Sequence, residues 1–106
     1  MKKYRQMLRN VTEAHAQMSS PMDYVKSTAV SDFSQTNYFL IDFDSQDKKH
    51  YIVFHLCLKD GKVWIEQDGI EYGVAQDLIK AGVARQDIVL AFQDKEVMSE
   101  SELIAV

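Results

Sequence analysis

Apolar side chains at Tyr4, Leu8, Val11, His15 and Met18 recur at the three- and four-residue intervals of one helix face, with Met7 and Ala14 widening the stripe. Lys3, Arg5, Arg9, Thr12 and Gln17 fall elsewhere, so the spacing predicts an amphipathic helix over residues 3–18. Ser-Ser-Pro at 19–21 ends it, because proline cannot continue the hydrogen-bond ladder and disfavours a helical Ser20. From Asp23 to Gln67 the period is that of strands. Tyr24–Phe33 is a weakly alternating strand, and "NYFLIDFD" a stronger one, followed by the polar turn "DSQDKK". "YIVFHLCL" is apolar on both faces, which predicts a central strand covered on each side. Asp60-Gly61 then turns the chain into "KVWIEQ".

These segments predict an antiparallel meander of about four strands over residues 24–67. After a second turn at Asp68-Gly69, helical spacing returns over 71–81, with Val74, Leu78 and Ala81 in one stripe, Ala75 and Ile79 beside it, and Gly82 as the C-cap. The last five residues of "RQDIVLAF" read as a further strand, and the acidic tail "QDKEVMSESELIAV" carries no clear period. The expected fold is α+β: an N-terminal helix, the meander, and a second helix after the last hairpin, in one domain spanning residues 1–106. Its expected core comprises Leu8, Val11, Phe54, Leu56, Leu58, Val63, Ile65, Val74, Leu78 and Ile79.

The Asp60-Gly61 turn also fixes a register. With these two residues as a type I′ loop, Lys59 pairs with Lys62, Leu58 with Val63, Leu56 with Ile65 and Phe54 with Gln67, which makes a core face. On the other side Cys57 lies opposite Trp64 and His55 opposite Glu66, with Val53 and Tyr51 continuing the row. Large aromatic area with single polar groups is the composition of a protein interface. Tyr51, Val53, His55, Trp64 and Glu66 are therefore the candidate partner-binding residues. Burial of this row by a second copy of the chain, by a partner or by the chain's own helix would each satisfy the pattern.

Charge narrows the possibilities. The net charge is −4 and no run of basic residues occurs, so direct nucleic-acid binding has no evident electrostatic source. No apolar run approaches the length of a membrane span, and the N-terminus lacks a secretory apolar segment, which predicts a cytoplasmic protein without membrane contact. The single cysteine, Cys57, permits no internal disulfide, and inside an apolar strand it reads as packing. His15, His50 and His55 have no metal-site spacing, the aspartates of "IDFDSQD" lack the glycine and glutamate of a calcium loop, and the scattered glycines form no phosphate loop. No cofactor and no catalytic residue is expected, although His55 opposite Glu66 could serve as an acid–base pair.

The stretch "HLCLKDGKVWIEQDGIEYGVAQDLIKAGVARQDIVLAF", residues 55–92, resembles the XisI family, named as controlling factors for excision of the fdxN element in cyanobacteria. The opening "YRQMLRNVTEAHAQ" falls where that family has its first helix. The chain departs from the family pattern at Cys57, commonly acidic, at Ala84, commonly proline, at Ala91, commonly glycine, and in its tail. The resemblance implies a non-enzymatic accessory protein that controls a DNA rearrangement through protein contacts, with an XisH-like protein as the expected partner and a homo-oligomer possible. The competing reading is a small enzyme or ligand-binding domain using His55, Glu66 and Trp64.

Overall fold

The computed structural model describes residues 2–18 and 22–91. Helix α1 spans Lys2–Gln17. Leu8, Val11, Thr12 and His15 make its buried stripe together with Tyr4, while Ala14 faces solvent and Met18 is 58% exposed. Thr12 thus belongs to the core, contrary to the polar position expected of it, because its hydroxyl donates to the Leu8 carbonyl at 2.7 Å and leaves only its methyl group to pack. The expected stop at Ser19–Pro21 lies outside the described residues, as does the tail after Ala91.

Five strands form one sheet in the order β1 to β5: Val25–Ser31, Asn37–Asp44, Lys49–Lys59, Lys62–Asp68 and Ile88–Leu90. Neighbours in the first four pair antiparallel, as the meander predicts. The fifth strand falls within the 88–92 segment expected to be one, beyond the four of the meander, and runs parallel to β4, with Val63, Trp64 and Ile65 beside Ile88, Val89 and Leu90. A parallel neighbour requires a crossover, and helix α2, Val74–Ala81, with a short 3-10 turn at Arg85–Asp87 supplies it. Residues 71–73, expected to be helical, lie before α2. The Asp68 carboxylate accepts the Ile70 and Val74 backbone N–H groups, both at 3.0 Å, and so begins the helix later. Gly82 caps α2 in the left-handed conformation, with its N–H on the Ile79 carbonyl.

The β3–β4 turn has φ 55° at Asp60 and 74° at Gly61, the two positive values that a type I′ hairpin needs. From it, the pairs Lys59–Lys62, Leu58–Val63, Cys57–Trp64 and Leu56–Ile65 follow the expected register. One residue further the register breaks at a bulge: His55 lies opposite Gln67 and Phe54 opposite Asp68, so Glu66 has no opposite residue. A second bulge lies on the other side of the same strand, where Leu40 pairs with Phe54 but Ile41 pairs with Ile52, leaving Val53 unpaired.

Both helices pack on one face of the sheet. Leu8 and Val11 of α1 and Val74 and Leu78 of α2 join Leu40, Phe54, Leu56, Val63, Ile65, Ile88 and Leu90 in a single buried cluster. Nine of the ten expected core residues lie in it, and Ile79 packs half-buried at its edge. β3 is central, yet among the described residues the cover expected on both its faces is present on one. Phe54 and Leu56 are inaccessible, whereas Ile52 on the opposite side is 43% exposed.

Candidate protein-binding face

The side of the sheet away from the helices is built from strand alternation. Its rows are Val30, Phe39, His55 and Gln67; then Asn37, Cys57 and Trp64 towards the β3–β4 turn; and Thr28, Ile41 and Ile52 towards the β2–β3 turn. Beyond these, Phe43 and His50 stack as a tilted pair at 4.7 Å. The result is a band of aliphatic and aromatic side chains across three central strands, with Phe39, Ile41 and Trp64 half-buried and Ile52 exposed, and no helix among the described residues lies over it.

The bulges redraw the row that the sequence predicts. With Val53 unpaired, the residue continuing the outer face from His55 is Ile52, while Tyr51 pairs with Asp42 and Val53 packs against the core cluster. Tyr51 and Val53 therefore leave the candidate set, and Ile52, Phe39 and Ile41 enter it. Periodicity could not have found Ile52, because "YIVFHLCL" offers an apolar residue to either face whether or not a bulge is present, whereas Phe39 and Ile41 share one face of the strand "NYFLIDFD". The opposition of His55 and Glu66 is likewise corrected, since Glu66 is the bulged residue and Gln67 takes its place.

His55 is held by its neighbours. Its ring lies flat on Phe39, with centroids 4.2 Å apart and planes 21° from parallel, and its Nε2 is 2.8 Å from Asn37 Oδ1. The Asn37 amide nitrogen donates to Asp32 at 2.9 Å, so the amide oxygen faces the imidazole and Nε2 must be the donor. Burial lowers the His55 pKa below its ordinary value, against the raising influence of the Glu66 and Asp32 charges. A neutral imidazole whose Nε2 proton serves a structural amide is a poor candidate for the acid–base role. Burial, reinforced by Glu66, also raises the Cys57 pKa and keeps the thiol protonated.

Trp64 closes the face at the hairpin end. Its indole N–H donates to the Lys59 carbonyl at 3.0 Å, and the Lys59 ammonium sits 4.0 Å from the ring centroid. These two contacts fix the ring orientation while leaving it half-buried. Among the described residues no group of three or more His, Cys, Asp or Glu side chains could hold a metal ion, and no helix is long and apolar enough to cross a membrane.

A second polar cluster lies between the helices, where periodicity gave no sign of it. His15, on the apolar stripe of α1, places Nε2 2.7 Å from Asp77 of α2, and Tyr72 donates to the same carboxylate oxygen at 2.7 Å. The His15 ring meets Phe54 edge-on at 5.5 Å. Burial and the Asp77 hydrogen bond push the Tyr72 pKa up to about 12. The cluster joins residues far apart in sequence and braces the two helices.

The arrangement of helices and sheet is found in solved structures. An XisI-like protein from Anabaena variabilis ATCC 29413 is similar at 24% identity and a TM-score of 0.76, over 91% of this chain and 95% of that one. The fdxN element excision controlling factor XisI from the same organism is similar at 23% identity and a TM-score of 0.67, over 86% and 85%. No curated protein matches the chain. The XisI protein family profile matches residues 1–104, and the chain belongs to the XisI family.

Proposed function

We propose that the protein is a non-enzymatic accessory factor that works in the cytoplasm and controls excision of a DNA element by binding another protein, an XisH-like one, through the outer face of its sheet. The observation that carries this reading is the band of Phe39, Ile41, Ile52 and Trp64 on central strands, with both helices on the opposite face. Apolar area of this kind on a folded domain marks an interaction surface. The name of the Anabaena protein with the same fold, an excision controlling factor, supports the same process. A net charge of −4 favours control through a protein over direct contact with phosphates.

Co-expression with an XisH-like protein and measurement of the complex by calorimetry tests the proposal. A stoichiometric complex is expected, and Trp64→Ala should weaken it by roughly 2 kcal/mol or more if the indole anchors the interface. Ile52→Lys should do likewise, while Tyr51→Ala, off the face, should change little. Anisotropy titration of the isolated protein with duplex DNA should show only weak binding at physiological salt. Absence of any complex, or sub-micromolar DNA affinity, would overturn the reading.

A further inference from the structure

β1 stands at one edge of the sheet and, among the described residues, pairs only with β2. Hydrogen bonds at its two ends fix which backbone groups the free edge carries. Ser45 N–H donates to the Tyr24 carbonyl and Asp32 N–H to the Asn37 carbonyl, so the even-numbered residues from 24 to 32 turn their backbone groups towards β2. Ser27, Ala29 and Ser31 turn theirs outwards, while the Val25 N–H is already engaged by the Met22 carbonyl. Native edges are blunted by proline, by a bulge or by several charges. β1 has no proline, keeps one register with β2 over all seven residues, and carries a single charge, Lys26. The described chain ends beside β5, at the opposite edge of the sheet.

The helix above this edge narrows what can pair with it. Arg9, Thr12 and Glu13 of α1 and Ala29 and Ser31 of β1 border a cleft of about 160 Å³. A strand added to β1 turns alternate side chains towards that cleft, which has room for small ones. β1 itself meets the requirement: Ala29 and Ser31 lie opposite the core residues Leu40 and Tyr38, and Ser27 shares their side of the sheet. Two copies of β1 laid antiparallel with Ala29 on a two-fold axis set Ser27 opposite Ser31 and Thr28 opposite Val30, and pair all three outward residues of each chain. The same register sets Lys26 opposite Asp32, so the one charge of the edge meets an opposite one. Asp32 stays charged there, because hydrogen bonds from the Asn37 backbone and side-chain amide hold its carboxyl below the usual carboxylate range.

We propose that the protein dimerises by pairing β1 with β1 of a second copy, antiparallel about Ala29, which joins two five-stranded sheets into one and sets their outer faces side by side. The contact uses the sheet edge and is independent of what the outer face binds. Sedimentation velocity over a concentration series should show a dimer. Ala29→Pro removes the central donor at an outward position, where an edge strand tolerates proline, and should weaken dimerisation by about tenfold or more. A second measurement reads the register on exposed side chains. Thr28 opposite Val30 is a pair without hydrogen bonds, with Cα atoms about 4.5 Å apart and within reach of a disulfide. Thr28 and Thr28 of the two copies, or Val30 and Val30, lie roughly 7–8 Å apart on the diagonal. In a Cys57→Ser background under oxidised glutathione, a mixture of Thr28→Cys and Val30→Cys chains should therefore crosslink, and either alone should not. Wild type remaining monomeric to its solubility limit, a folded Ala29→Pro that dimerises like wild type, or a mixture that crosslinks no better than Thr28→Cys alone would overturn the proposal.

Discussion

The side chain that Gly69 lacks matters as much as any present. Its N–H donates to the Val53 carbonyl at 2.6 Å, and a Cβ built on it would stand 2.8 Å from that same oxygen. Backbone on both sides leaves little to give, so Gly69→Ala should cost about 1–3 kcal/mol in urea denaturation, the range for overpacking a tight contact. His55 sets a second residue-scale expectation. Its folded pKa is depressed, so its contribution to stability is present above its ordinary pKa and is lost as pH falls through the folded value. An NMR titration should place its midpoint below 6.5, and His55→Gln should flatten the loss of stability on acidification below that pH. A midpoint at or above 6.5 would mean that the Glu66 and Asp32 charges outweigh burial.

Among the elements, the two helices are joined by the Asp77 carboxylate, which serves His15 and Tyr72 together. Asp77→Ala would leave a buried imidazole without its partner and should cost about 1–3 kcal/mol by chemical denaturation. The Arg9–Glu13 pair on α1 makes the contrast, since its side chains are 57% and 54% exposed. Glu13→Ala should change stability by no more than about 1 kcal/mol. Element type and order were legible because strand alternation, the Asp60-Gly61 turn and the 3.6-residue stripes are local signals. The β3–β4 register could be counted outward from the turn as far as Leu56–Ile65 and no further. A bulge is invisible in a run with apolar residues on both faces, so counting from the turn puts Tyr51 and Val53 on the outer face and leaves Ile52 off it. The His15–Asp77 contact links residues 62 apart, a separation over which no spacing rule operates.

At the scale of the whole molecule, the described residues are one-sided. Two helices and one face of the sheet enclose the core, and the chain returns to the sheet through β5, beside β4. That return also brings the turn before β5 against the start of the chain. The Tyr4 hydroxyl donates to Asp87 at 2.6 Å and accepts the Ala84 N–H at 3.2 Å, across 83 and 80 residues. Closing so long a loop is entropically costly until the sheet and α2 have formed, so this clasp should be among the last contacts made. During synthesis α1 emerges before the strands that cover it and must wait with Tyr4 and Leu8 uncovered, a time when a chaperone could hold it. In the finished protein the Ala84 amide, in a short turn that would otherwise fray, becomes a reporter of the clasp. Its hydrogen should exchange with solvent far more slowly in wild type than in Tyr4→Phe, which keeps the ring and removes the acceptor.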